Sequence, residues 1–140
     1  MAVTAVELVK HYYGSLAPGR RHDLASILDP GFVLELQEGF PGARPEYKGL
    51  KSYFEDFLEL IYGSIVFEFL PGEFLECGTR VVTTGRMKGQ AIPSSVAFDI
   101  PFVHIWTWNG RTLSHAQFFS DTALLRDAID GRPISLRSTK

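Results

Sequence analysis

Near Gly63 the period of the apolar pattern changes, and the change limits the chain to one class of fold. Before it, apolar residues recur at helical spacing. After it, from Ile65 to Ser120, strand formers alternate with few breaks. Leu50, Tyr53, Phe54, Phe57, Leu58 and Ile61 follow the i, i+3, i+4, i+7 template, with Lys51, Ser52, Glu55, Asp56 and Glu59 on the other side, which predicts one amphipathic helix. Ala5, Leu8, Val9, Tyr12 and Leu16 predict another over 3–16, and 23–28 reads as a short helix ended at the turn Asp29-Pro30-Gly31. One strand interrupts this half: 32–37 alternates, with Phe32, Leu34 and Leu36 on one face and Val33, Glu35 and Gln37 on the other. Residues 38–49 hold Gly39, Pro41, Gly42, Pro45 and Gly49, too many breakers for a regular element, and read as a lid-like loop.

The second half predicts strands over 65–70, 73–77, 80–88, 96–108 and 111–119. Pro71-Gly72 forms a bend and Asn109-Gly110 a hairpin turn. A short helix over 121–129, capped by Ser120 or Asp121 and stopped by Gly131, closes the chain, and the polar tail 132–140 is expected to fray. Helix, helix, strand, helix and then antiparallel strands, with no βαβ repeat, describe a single α+β domain over 1–131, its helices packed on one face of a curved sheet. Pro71-Gly72 and Ile100-Pro101 suit the kinks that curl such a sheet. A curled sheet closed by helices makes a cone with a mouth, where small ligands bind.

Composition removes other classes. The 140 residues are 45% hydrophobic and 13% aromatic, enough for a core, and a net charge of −2 offers no cationic footprint for nucleic acid. The single cysteine, Cys77, cannot form an internal disulfide, which favours a reducing compartment, and no apolar run reaches membrane-spanning length. These features predict a soluble cytoplasmic protein without nucleic-acid or membrane partners. Histidines 11, 22, 104 and 115 form no H-x-H or H-x-x-x-H pair, and no phosphate-cradling glycine loop, G-x-S-x-G or Cys-His signature is present, so neither a metal nor a cofactor is expected.

Alternation along 96–108 puts Phe98, Ile100, Phe102, His104, Trp106 and Trp108 on one face, which makes His104 a lone polar group among large apolar ones. Such a ring requires a partner, and a carboxylate such as Glu35 in the same apolar hollow would have its pKa raised toward values useful for proton transfer. Spacing leaves open whether Tyr12 or Tyr13 points inward. Asp99 alternates opposite His104, and Asp121 reads first as a helix cap.

Several segments carry a family likeness: His11-Tyr12-Tyr13 at the end of helix one, Phe32-Val33-Leu34-Glu35-Leu36-Gln37-Glu38-Gly39-Phe40-Pro41, Tyr47-Lys48-Gly49, and Phe102-Val103-His104-Ile105-Trp106-Thr107-Trp108-Asn109-Gly110. Over residues 3–130 the chain resembles the NTF2-like superfamily, and within it the SnoaL-like polyketide cyclase and ketosteroid isomerase group. The resemblance implies a cone-shaped barrel in which a curved, mostly antiparallel sheet wraps three N-terminal helices, and a homodimer formed through the outer sheet face. It also implies Tyr12 as oxyanion-hole tyrosine, Glu35 as catalytic base and His104 as second oxyanion donor, where a protonated carboxylic acid is replaced here by imidazole. Gln117 falls near the aspartate of SnoaL-type cyclases and cannot accept a proton usefully. Tyr13, Phe40, Phe54, Phe102, Trp106, Gln117 and Phe119 are the expected substrate-binding residues.

The resulting expectation is a cofactor-independent isomerase, cyclase or dehydratase acting on an apolar carbonyl-bearing or polycyclic molecule. The alternatives are a binding module for a hydrophobic metabolite, or a dimeric scaffold whose cone is plugged by Trp106 and Phe102.

Overall fold

The computed structural model describes residues 3–132; the predicted tail from 133 onward lies outside them. The chain runs α1 (Ala5–Ser15), α2 (Arg21–Ala25), β1 (Leu28–Leu36), β2 (Glu46–Lys48), a rod made of α3 (Leu50–Ser52), a π-helical segment (Tyr53–Leu58) and α4 (Glu59–Ser64), then β3 (Ile65–Cys77), β4 (Arg80–Ala91), β5 (Ala97–Trp108), β6 (Leu113–Ser120) and α5 (Thr122–Ile129). Thr4 and Glu7 form a reciprocal capping box that starts α1, and Asp121 caps α5 by accepting from the Leu124 amide.

Six strands form one curved sheet in the order β2-β1-β6-β5-β4-β3. Every neighbouring pair is antiparallel except β1 and β6, which run parallel. This is the α+β cone expected from the change of period. Three boundaries differ. The Asp29-Pro30-Gly31 turn lies inside β1, where it shifts the register against β6 between Leu28 and Val33. The lid-like loop contains a strand, β2, because Glu46–Lys48 finds the free edge of β1. Pro71-Gly72 does not divide a strand in two; the break is absorbed as a register shift between Pro71 and Glu73 within β3.

Curvature depends on two glycines of β4. A Cβ at Gly89 would stand 2.1 Å from the Val66 carbonyl oxygen, and one at Gly85 would stand 2.3 Å from that of Leu70. With hydrogen in their place, β3 closes against β4 and the sheet folds around the helices. The concave face carries Phe32, Leu34, Val81, Met87, Ile100, Phe102, Trp106 and Phe118, all buried against α1 and the rod. The rod is widened by its π-helical turn, so that Tyr53, Phe54, Phe57 and Leu58 are all buried. Cys77 is exposed at the end of β3, an edge strand. No helix among the described residues is long and apolar enough to cross a membrane.

Candidate functional site

The core encloses a narrow cavity of about 30 Å3, lined by Tyr12 and Leu16 of α1, Phe40 of the loop, Phe57, Leu58 and Ile61 of the rod, and the inward side chains of β3 to β6. That volume holds about two waters. Its polar side chains are Tyr12, His104 and Ser120, and among the described residues no carboxylate lines it.

His104 is 2% exposed. Its ring stacks on Phe118 at 3.7 Å between centroids and packs against Phe102 at 4.3 Å and Phe69 at 5.0 Å. Burial in this setting holds the imidazole well below its ordinary pKa of 6.5, so the ring is neutral at pH 7. The Tyr13 hydroxyl lies 2.6 Å from Nδ1, and Trp106 Nε1 donates to the same hydroxyl at 3.2 Å. An indole N–H can only donate, so the Tyr13 oxygen accepts there. Thr83 Oγ1 is buried in the same layer of the sheet and interacts with the same Tyr13 hydroxyl. With the Tyr13 proton given to Nδ1, the imidazole proton sits on Nε2.

Helix α1 turns both tyrosines inward. Tyr12 is buried at the cavity wall, and its hydroxyl meets that of Tyr53 at 2.5 Å. Burial first, and the neighbouring tyrosines second, raise the Tyr12 pKa well above the usual phenol value. Burial likewise raises Tyr53 and Tyr13. All three are hydroxyls at neutral pH. If Tyr53 donates to Tyr12, one phenolic proton remains free on the cavity side.

Glu35 is not in this group. Phe32, Leu34 and Leu36 take the concave face of β1, which turns Glu35 to the opposite side, where it pairs with His115 Nε2. The proton-transfer pair expected from Glu35 and His104 is therefore separated by the thickness of the sheet. Gln117 and Phe119 are displaced for a related reason. A register shift between β5 and β6 at Trp108 leaves Leu113 inward but turns His115, Gln117 and Phe119 outward, and Ala116 and Phe118 take the core side.

Of the other expected lining residues, Phe40 and Phe102 line the cavity. Trp106 lies behind it against Tyr12, and Phe54 faces a separate crevice on the far side of the rod. Asp99 sits outward, bonded by Arg86. The loop carrying Phe40 is strapped down: Arg126 donates to the Gly39 carbonyl at 2.7 Å, and Arg44 bonds Ser52 and Asp56 of the rod. Sequence reasoning did not place Tyr53, Phe118 or Ser120 in the site. Alternation along β6 would have found Phe118 and Ser120 had the register shift been visible.

No protein-family model and no curated protein matches the sequence. Solved structures do. An NTF2-like protein from Burkholderia thailandensis E264 superposes with a TM-score of 0.82 at 19% identity, covering 91% of this chain and 98% of its own. A protein named TerC, co-crystallised with polyporic acid, gives 0.81 at 21% identity over 89% and 97%. A protein described as a SnoaL-like polyketide cyclase from Jannaschia sp. CCS1 gives 0.79 at 20% identity over 91% and 92%. With its helices held in the hollow of one curved six-stranded sheet and these structures superposing along nearly their whole length, the chain has the NTF2-like fold.

Proposed function

We propose that this chain is a small-molecule pocket protein that takes an apolar molecule by a hydrogen-bond-accepting oxygen. One observation carries the reading: a neutral imidazole, His104, and the Tyr12 hydroxyl, two uncharged groups able to donate to a bound oxygen, belong to a wall that is otherwise almost wholly apolar and, among the described residues, holds no carboxylate. In a dry site such donors are worth more than in water, and they hold an oxygen more strongly as it gains negative charge. A ketone or enol oxygen satisfies both. A protonated amine, which has no lone pair, offers them nothing to donate to. The fold-level likeness to a protein co-crystallised with a small molecule supports a pocket as the working part.

A second reading, turnover of the isomerase, cyclase or dehydratase type, is favoured by the same two donors. A carbonyl polarised by them has a more acidic neighbouring carbon. The proton leaves to the substrate's own basic group or to water, since Glu35 stands outside the cavity. The test is to incubate the protein with an aryl ketone in D2O and follow both binding by calorimetry and deuterium uptake at the α-carbon by mass spectrometry. Binding that is lost in Tyr12→Phe with His104→Phe supports the pocket, and accelerated deuterium uptake supports turnover. Absence of ketone binding would overturn the first reading, and binding without exchange the second.

A further inference from the structure

At about 30 Å3 the cavity is far short of the roughly 150 Å3 that accommodates benzene, so a ring-bearing ligand on His104 and Tyr12 requires a wall side chain to move. Most of the wall is fixed. Phe102 packs against Tyr13, Phe69 and His104, Phe118 is stacked on His104, and Phe57 and Leu58 belong to the buried side of the rod. Phe40 differs from all of these. It is only half-buried, it stands on irregular chain between β1 and β2, and the ring beside it is Phe57, at 6.1 Å between centroids.

The backbone around Phe40 is pinned at its ends and loose between them. The Leu36 amide donates to the Pro45 carbonyl at 2.8 Å, and the Gln37 amide to the Phe118 carbonyl at 3.1 Å. Between these pins, residues 38–43 are tied to the rest of the protein by one hydrogen bond among the described residues, the exposed bond from Arg126 to the Gly39 carbonyl at 2.7 Å. Gly39 and Gly42 bracket Phe40 at φ of +94° and +74°, and without a Cβ each can change its dihedrals at little steric cost. A loop closed at its neck, with glycines on both sides of one inward ring, can swing as a unit. The group it vacates is a benzyl side chain, and the room left behind is that of one benzene ring.

We propose that Phe40 is a plug: the aryl ring of the ligand takes the place of the Phe40 ring against Phe57, and the loop over 38–43 swings outward to release it. Phe40 thereby sets the ligand class, an aryl ketone whose single ring matches the phenyl group it displaces and whose oxygen reaches His104 and Tyr12. The inference rests on the pocket reading above and adds the ring of the ligand and the way it enters.

The experiment titrates acetophenone by calorimetry into the full chain, into Phe40→Ala, and into a chain carrying Gly39→Cys and Thr122→Cys with the exposed Cys77→Ser. A Cβ at Gly39 stands 3.7 Å from the Thr122 Cβ, a separation that a disulfide spans, so oxidation ties the loop to α5 and reduction frees it. Cysteine at the left-handed Gly39 is strained in both redox states, so the two states of one protein are compared, and melting temperatures are measured alongside. Phe40→Ala no longer bears the cost of opening and is expected to bind about tenfold more tightly than the unmodified chain. The oxidised pair should bind about tenfold more weakly than its reduced form. If the unmodified chain binds acetophenone and Phe40→Ala binds it no more tightly, Phe40 is wall and not plug, and the pocket reading stands. Equal binding by the oxidised and reduced forms overturns the swing of the loop. If neither the unmodified chain nor Phe40→Ala binds, both readings fall.

Discussion

Glu35 and His115 bond each other on the convex side of the sheet, one strand apart and cut off from the cavity by the backbone that carries them. The pair is partly exposed, with side-chain exposures of 43% and 29%, so it belongs to the surface electrostatics of the protein.

Glu35→Gln is accordingly expected to leave ketone binding within about twofold, and to lower stability by about 0.2–1 kcal/mol, the usual range for an exposed pair. Calorimetric titration and urea unfolding of the variant measure both. A loss of binding beyond about tenfold would return Glu35 to the site.

Tyr13→Phe removes the hydroxyl that bonds both His104 Nδ1 and Trp106 Nε1. Two buried groups are left unpaired, and the expected cost is about 1–3 kcal/mol in urea denaturation. The same change releases the tautomer of His104, so the imidazole nitrogen resonances should shift in 15N NMR. A stability change below about 0.5 kcal/mol with unmoved resonances would mean that the three groups do not act as a network.

Burial depresses the His104 pKa in the folded protein, while the unfolded chain titrates near about 6.5. Above that value the ring is neutral in both states and exerts no pH effect. Below it the unfolded chain takes up a proton that the folded one refuses, so stability falls as pH falls, by up to about 1.4 kcal/mol per pH unit. Carboxylates held low by their partners, Asp23, Asp56 and Glu7, add their own loss only in more acidic solution. The window from pH 6.5 to 5 lies above that loss, and the difference from His104→Gln, which keeps the other three histidines, reports His104 alone. Unfolding curves of the unmodified chain should slope through that window and those of His104→Gln should slope less. Equal slopes would deny that the ring is buried neutral.

Gly89→Ala places a methyl group 2.1 Å from the Val66 carbonyl and 2.8 Å from the Phe98 ring. Neither strand can give way without opening the sheet, and the expected loss is about 1–3 kcal/mol. Gly63→Ala, at a position with open space around it, serves as the control. Thermal melts of the two variants should separate clearly.

The period-two pattern already carried the sorting of β1: Phe32, Leu34 and Leu36 on one face, Glu35 on the other. A catalytic role for Glu35 came from the resemblance and from the pKa a carboxylate takes in an apolar hollow, and the side of the sheet that meets the helices turned Glu35 away from that hollow. Alternation along β5 located His104 among aromatics, because every second residue from Phe98 to Trp106 shares a face, and Pro101 does not break the register with β4. The α+β order, the amphipathic rod and the cone were legible for the same reason: solvent and core impose one period on each element, and that period is written locally.

Tertiary structure decided what depends on residues far apart in sequence. A register shift between β5 and β6, a matter of how two strands are paired, exchanged Gln117 and Phe119 for Phe118 and Ser120 at the cavity wall. The bonds from Tyr12 to Tyr53 and from Tyr13 to His104 span 41 and 91 residues, so no local pattern announces them. Helical and strand periods assign a side chain to a face, whereas a site forms where faces from different elements converge, and that convergence exists only once the sheet has curled around α1 and the rod.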